Sequence, residues 1–224
     1  MPERLFQIRT LDLPPGVDRP TASLPRWKRP FDLVIAGVAL IFAAPIILVA
    51  ALVVRLDGNA SFYLQDRLGA GGRRFTLYKL RTMRIDSGAA LNEILQRDLH
   101  AREEFVRTGK LDNDPRVSWI GRMLRRRGID ELPQLLNVIR GEMSIVGPRP
   151  RTLRWLSSPE ADTMQFRAYF AARPGITGLW QISDRSKSND QTRAQLDASY
   201  LENVSFWVDL SIILRTIPLF VLGR

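Results

Sequence analysis

The chain has 224 residues, enough for one substantial core, and its composition marks no division into two. Its 33 Lys and Arg against 23 Asp and Glu leave a net charge of +10, which favours phosphates, nucleic acid or an anionic lipid surface as partners. With no cysteine and a single histidine, His100, the chain excludes disulfide frameworks, thiolate metal sites, cysteine nucleophiles and multi-histidine centres, so acid–base or metal chemistry falls to carboxylates.

Residues 1–25 hold Pro2, Pro14, Pro15, Pro20 and Pro25 among polar residues without a lasting apolar period, and are expected to form a disordered lead. The apolar run that follows starts too late and is too long for a cleaved signal, so it is expected to be retained. That run, LVIAGVALIFAAPIILVAALVV over 33–54, is long enough to cross about 30 Å of hydrocarbon. It lies within an anchor over 26–57, flanked by Arg26, Lys28 and Arg29 on one side and Arg55 on the other. Cations at both ends point to the same side of a membrane. Two solutions stay open: a re-entrant helix kinked near Pro45 that leaves on the side it entered, or a single span with a proline kink.

Over 58–224 the pattern predicts an α+β, largely helical catalytic domain. Residues 61–66 and 73–83, separated by Leu68-Gly69-Ala70-Gly71-Gly72, form a β-hairpin; no GxxxxGK[ST] pattern makes the glycines a phosphate loop. Residues 89–108 predict one amphipathic surface helix, 115–126 a second helix, and 131–139 a third closed by Gly141. Ser144 to Pro150 and Arg173 to Gly178 are rigid arginine-bearing loops around a helix over 158–172. The last apolar stretch, 206–222, is interrupted by Asp209, Arg215 and Pro218, which predicts an interfacial or docking helix in place of a second span.

The segment Leu124-Arg125-Arg126-Arg127-Gly128-Ile129-Asp130-Glu131-Leu132-Pro133 sets three cations before two adjacent carboxylates. One reading makes Asp130 a helix N-cap and the arginines a solvated face. The other makes a carboxylate at a helix start a nucleophile or magnesium ligand, with arginines and backbone N–H groups holding a phosphate. Lys79-Leu80-Arg81-Thr82-Met83, Asn113-Asp114-Pro115-Arg116, Gly147-Pro148-Arg149-Pro150 and Arg173-Pro174-Gly175 add cations on restricted backbone, as a diphosphate requires.

The succession KLRTM, NDPRV, DELPQLLNVIRGEMSIVGPRP, RPGITGLWQIS and LDASYLENVSFWVDL resembles the bacterial sugar transferases, the monotopic polyprenyl-phosphate phosphoglycosyl transferases. Among them it is most similar to the short enzymes that begin exopolysaccharide repeat units with galactose 1-phosphate or glucose 1-phosphate. The resemblance implies that Asp130 attacks the β-phosphorus of a UDP-sugar, releasing UMP, and that undecaprenyl phosphate then takes the sugar phosphate from the aspartyl intermediate. It implies Glu131 as partner acid, in proton removal or beside the metal, Mg²⁺ held mainly by Asp130, and Lys79, Arg125, Arg149 and Asp197 around the site. Arg116 and Arg173 are further candidates, with lipid headgroups or loop bracing as rival duties. It also implies the cytoplasmic face of a bacterial inner membrane and no nucleic-acid partner; a homo-oligomer and downstream glycosyltransferases stay open as partners. In this context re-entrance is the favoured topology, although Ala44 stands where many members carry serine before the proline. The competing class of function is a membrane-anchored basic binding or scaffold protein in which Asp130 merely caps a helix.

Overall fold

The computed structural model describes residues 24–84, 87–108, 111, 113–153, 169–183 and 190–221. The expected lead, apart from residues 24 and 25, and most of the helix expected over 158–172 lie outside the described residues. What is described is mostly helical, with a few short strands.

Helix α1 (Lys28–Arg55) begins five residues before the apolar run and continues through Pro45. Its early start has an electrostatic cause. Lys28 pairs with Asp32 one turn on at 3.1 Å and with Asp209 at 2.7 Å, and all three are almost wholly buried. Arg29 donates to the carbonyl oxygens of Val138 and Ile139 at 2.7 and 3.1 Å. Two of the cations expected to flank the apolar run at its solvent side therefore bind the protein itself. Along α1 the small residues Ala36, Ala43 and Ala50, seven apart, are buried, while Val34, Ile41, Phe42, Leu48 and Val49 are exposed. A seven-residue spacing keeps one stripe against a neighbour, and small side chains let backbones approach closely.

Strands β1 (Phe62–Leu68) and β2 (Arg74–Leu80) form the expected antiparallel hairpin, with Gly71 at φ 61 in its turn. Left-handed backbone there explains the glycine. Phe75 and Leu77 of β2 enter a core with Ala36, Ala43, Leu135, Val138, Met143 and Val146. Among the described residues no strand lies beside the outer edge of β2; the Asn137 side chain takes that place. Its Oδ1 accepts from the Tyr78 N–H at 3.1 Å, and its Nδ2 donates to the Thr76 carbonyl at 2.7 Å. Asn137 is fully buried, so Asn137→Ala would leave two backbone groups unanswered in the interior. A loss of about 2–4 kcal/mol in unfolding free energy is the expected result, read from chemical denaturation in detergent.

The single surface helix expected over 89–108 is two helices, α2 (Ser87–Arg97) and α3 (Leu99–Thr108). Asp98 breaks it, because its carboxylate accepts from the Ala101 N–H at 3.0 Å as an N-cap does. Helix α4 (Trp119–Arg126) starts later than expected, since Ser118 caps it through the Gly121 N–H, and Pro115 and Arg116 lie in a preceding turn. The third expected helix opens as a 3₁₀ segment, Ile129–Gln134, and becomes α5 (Leu135–Arg140), closed by Gly141 at φ 86.

The two arginine-bearing loops are more ordered than expected. Within them β3 (Ser144–Val146) pairs in parallel with β5 (Gly175–Thr177), while β4 (Arg151–Thr152) pairs with the end of β1. Helices α6 (Leu179–Ile182), α7 (Asp190–Glu202) and α8 (Phe206–Val221) complete the chain. Helix α8 docks as expected: Asp209, Ile212 and Thr216 are buried and Trp207, Leu214 and Ile217 are exposed.

Candidate active site

A cleft of about 600 Å³ opens between the hairpin, the 3₁₀ segment and the β3–β4 loop. Six cationic side chains line it, Arg67, Lys79, Arg81, Arg84, Arg125 and Arg149, against two carboxylates, Asp130 and Glu131. The backbone explains why both acids face it. Gly128 takes φ 63 after α4, which reverses the chain, and the Glu131 N–H donates to the Gly128 carbonyl to start the 3₁₀ turn. Asp130 and Glu131 then occupy the first turn of a continuous helical segment, where N–H groups point outward and favour negative charge.

Asp130 is not the N-cap of this segment; that position belongs to Gly128. Its carboxylate makes no hydrogen bond or ion pair among the described residues, although it is 6% exposed. Burial raises its pKa above the ordinary aspartate value, Lys79 pulls it down, and Glu131 adds to the rise. Glu131 is the contrary case. Its Oε1 accepts from Lys79 Nζ and from Arg149 Nη2, each at 2.9 Å. Adjacent acids of like chemistry therefore have different surroundings: one is bound by cations and the other is free to meet a ligand.

Of the residues expected at the site, Lys79, Arg125, Arg149, Asp130 and Glu131 come together in the cleft. Arg125 is held there by its Nε, which donates to Thr82 Oγ1 at 2.8 Å. Arg116, Arg173 and Asp197 do not line it. Arg116 chelates Asp114 through two donors at 2.7 and 2.5 Å and borders a neighbouring cavity. Arg173 donates to the Gly141 carbonyl at 2.8 Å, bracing the end of α5. Asp197 lies behind the wall on α7, 3.9 Å from Arg193, whose Nη2 donates to the Arg149 carbonyl at 2.7 Å.

Burial lifts Asp197 to about 6, against the pull of Arg193 and Arg151. An aspartate with a raised folded-state pKa holds its proton more tightly when folded, so stability falls as pH rises from its ordinary 3.8 to about 6. Thermal unfolding in detergent across that window is expected to show this slope in the wild type and a flatter one in Asp197→Asn.

Sequence reasoning missed Tyr63, Gln65 and Arg67. They stand opposite Lys79, Leu77 and Phe75 in the hairpin register and so share the cleft face. The two-residue alternation of β1, once anchored on Lys79, carries that signal. Arg67 is a strong feature of the site: its Nε is buried without a partner, and burial together with neighbouring Arg149 lowers its pKa. Two neighbouring cations on the cleft wall favour an anion between them.

A free carboxylate beneath converging cations, beside a long apolar helix, is an arrangement suited to anionic ligands such as phosphates. The sequence profile of the bacterial sugar transferases matches residues 24–223, and the chain belongs to that family and is a transferase. It is 43% identical over 212 residues to the exopolysaccharide production protein ExoY of Rhizobium meliloti, covering 93% of this chain and 91% of ExoY. It is 37% identical over 215 residues to a UDP-glucose:undecaprenyl-phosphate glucose-1-phosphate transferase of Caulobacter vibrioides, covering 93% of this chain and 74% of that protein. An undecaprenyl-phosphate galactose phosphotransferase of Salmonella typhimurium is 40% identical over 189 residues; the alignment covers 84% of this chain and 39% of the relative. An uncharacterized sugar transferase of Haemophilus influenzae is likewise matched over 41% of its length. The chain thus spans about two fifths of the Salmonella and Haemophilus relatives, about three quarters of the Caulobacter one and nearly all of ExoY.

Proposed function

We propose that this enzyme moves a hexose 1-phosphate from a UDP-sugar to undecaprenyl phosphate at a membrane surface, the first membrane step of exopolysaccharide synthesis. The observation that carries the reading is Asp130: a buried carboxylate without a partner, in a cleft lined by six cations. An Asp130 oxygen attacks the β-phosphorus, the bond to the α-phosphate oxygen breaks, and UMP leaves with that electron pair. An oxygen of the lipid phosphate then attacks the same phosphorus, the Asp130–phosphorus bond breaks, and the carboxylate is restored. A phosphate monoester with a second pKa of about 6 is mostly dianionic at neutral pH, so its attack needs no base. Glu131, occupied by Lys79 and Arg149, is suited to positioning those cations on the diphosphate oxygens. Names of the Caulobacter and Salmonella relatives supply the substrate classes.

No cluster of three or more potential metal ligands occurs among the described residues, which rules against an all-protein cage there. One free carboxylate facing a diphosphate site does fit magnesium, with Asp130 as its protein ligand and substrate oxygens as others. Bound there, magnesium would offset the charge between an anionic nucleophile and its phosphate target.

The anchor reading is re-entrant. Helix α1, at 28 residues, is the one described helix long and apolar enough to cross a membrane. Both its ends hold the catalytic domain: Lys28 and Arg29 at the start, and at the finish Ser61 Oγ donating to Ala51 and Arg81 donating to Val54. A transmembrane path would carry that packed domain into hydrocarbon along with the helix. Trp27, Phe31, Phe206 and Trp207 form an edge-to-face series beside the α1 start, suited to the headgroup level of the inner membrane's cytoplasmic leaflet.

The direct test is UMP release by purified enzyme with magnesium, undecaprenyl phosphate and a panel of UDP-sugars. Release with one hexose donor, dependent on the acceptor for turnover, is expected; silence across the panel overturns the reading. A label on residues 1–25 found on the opposite face from the catalytic domain overturns re-entrance alone.

A further inference from the structure

Glu131 borders two different spaces. On one side is the cationic cleft; on the other is a groove of about 200 Å³ whose lining is almost all carbon. Its walls are Ile35 and Ala39 of α1, Leu135 of α5, Ile176 of β5, and Ile213 and Ile217 of α8. Two hydroxyls also line it, Thr177 and Thr216, but they bond to each other at 2.7 Å, and Thr216 also donates to the Ile212 carbonyl. Glu131 is the one charged residue on its border.

Both long walls run outward into exposed apolar surface, Val34 and Val38 on α1 and Leu214 and Ile217 on α8. The groove thus connects Glu131, at the edge of the cationic cleft, to the surface that would face hydrocarbon. A space with no free polar group cannot orient a sugar, a nucleoside or a phosphate. It can hold a chain.

We propose that this groove takes the phosphate-proximal isoprene units of the lipid acceptor and presents its phosphate to Asp130 from the Glu131 side. The donor occupies the cationic cleft, so the two substrates approach the Asp130–Glu131 pair through separate openings, one polar and one apolar. The proposal rests on the phosphosugar-transfer reading above. The occupant is committed by continuity: a chain lying here ends beside Glu131, the immediate neighbour of the reacting Asp130, which suits a lipid with a terminal phosphate. A bulk phospholipid, whose phosphate is flanked by glycerol and headgroup, has no such end.

Ala39→Phe and Ile217→Trp fill the groove from opposite walls; Val34→Trp adds bulk on the exposed face outside it. With each protein in nanodiscs, two readouts separate the half-reactions: the UMP burst without acceptor, and the KM for undecaprenyl phosphate. The filling variants are expected to keep the burst while the acceptor KM rises about tenfold or more, and Val34→Trp to leave both unchanged. An unchanged acceptor KM in both filling variants overturns the groove. Should those variants not fold, the wild type decides by photolabelling with a polyprenyl phosphate carrying a diazirine in its first isoprene units. Labelling of the groove-lining residues Ile35, Ala39, Ile213 and Thr216 is expected. Label confined to Val34, Val38 and Ile41, or equal groove labelling by a diazirine phosphatidylcholine, overturns it. A wild type with no UMP burst overturns instead the parent reading, and the groove with it.

Discussion

Asp130→Asn is expected to abolish UMP release, by about 10⁴-fold or more, while the protein folds as well as the wild type or better. The amide keeps the shape of the carboxylate but has no anionic oxygen to attack phosphorus. No described side chain is hydrogen-bonded or ion-paired to the Asp130 carboxylate, and the attraction of Lys79, Arg125 and Arg149 is outweighed by burial. Its burial raises the folded-state pKa, so above that pKa the folded protein carries an ionised group it disfavours. Removing the charge relieves that cost, as often happens at sites shaped for catalysis. Single-turnover UMP release and thermal unfolding on the same preparation provide the check. Undiminished release would remove Asp130 from the mechanism; lost release with a lowered melting temperature would recast it as a structural acid.

Gly175→Ala is expected to cost about 3 kcal/mol or more of stability and to lower activity about 10²-fold in whatever protein remains folded. The residue lies where β5 meets the chain leaving β3. A Cβ there would come within 2.1 Å of the Gly147 nitrogen and 2.4 Å of the Thr177 carbonyl oxygen. Both obstacles are backbone, so no rotamer change relieves them. The Gly147 N–H donates to Thr177 and the Gly175 N–H to the Pro148 carbonyl, and these bonds fix the segment that carries Arg149 to Glu131. Pushing the strands apart shifts that guanidinium off its partner. Gly71→Ala is the control: left-handed backbone but open space predicts a cost of only about 1 kcal/mol and normal UMP release. Equal stabilities for the two variants would show that the crossing yields more readily than its geometry implies.

The parts of this protein that were legible beforehand are those whose signal is local. Alternation in β1 and β2 and the glycine turn between them gave the hairpin, and the length of the apolar run marked α1. Asp98 hid the break between α2 and α3, because an aspartate on a polar helix face and one that caps the next helix look alike in sequence. Strands β3 and β5 have three residues each, too short to show a period, and so looked like loops. At the site, the sequence placed cations on rigid turns without revealing their direction. Arg149 turns toward Glu131, whereas Arg116 and Arg173 are consumed by Asp114 and the Gly141 carbonyl. Arg67 escaped notice because its role depends on a hairpin register that puts it across from Phe75, two pairs along from the Gln65–Leu77 position and so on the same face.

Asn137 has a consequence for how the protein behaves among copies of itself. The outer edge of β2 would ordinarily offer unanswered N–H and C=O groups to any extended chain nearby. Here one buried amide side chain meets the Thr76 carbonyl and the Tyr78 N–H, so two of the groups at the centre of the edge are already engaged. The Tyr78 amide, though on an edge strand, is thereby predicted to exchange its hydrogen for deuterium as slowly as an interior one. With those groups engaged, β2 is a poorer template for a strand from a second copy of the chain than an open edge would be.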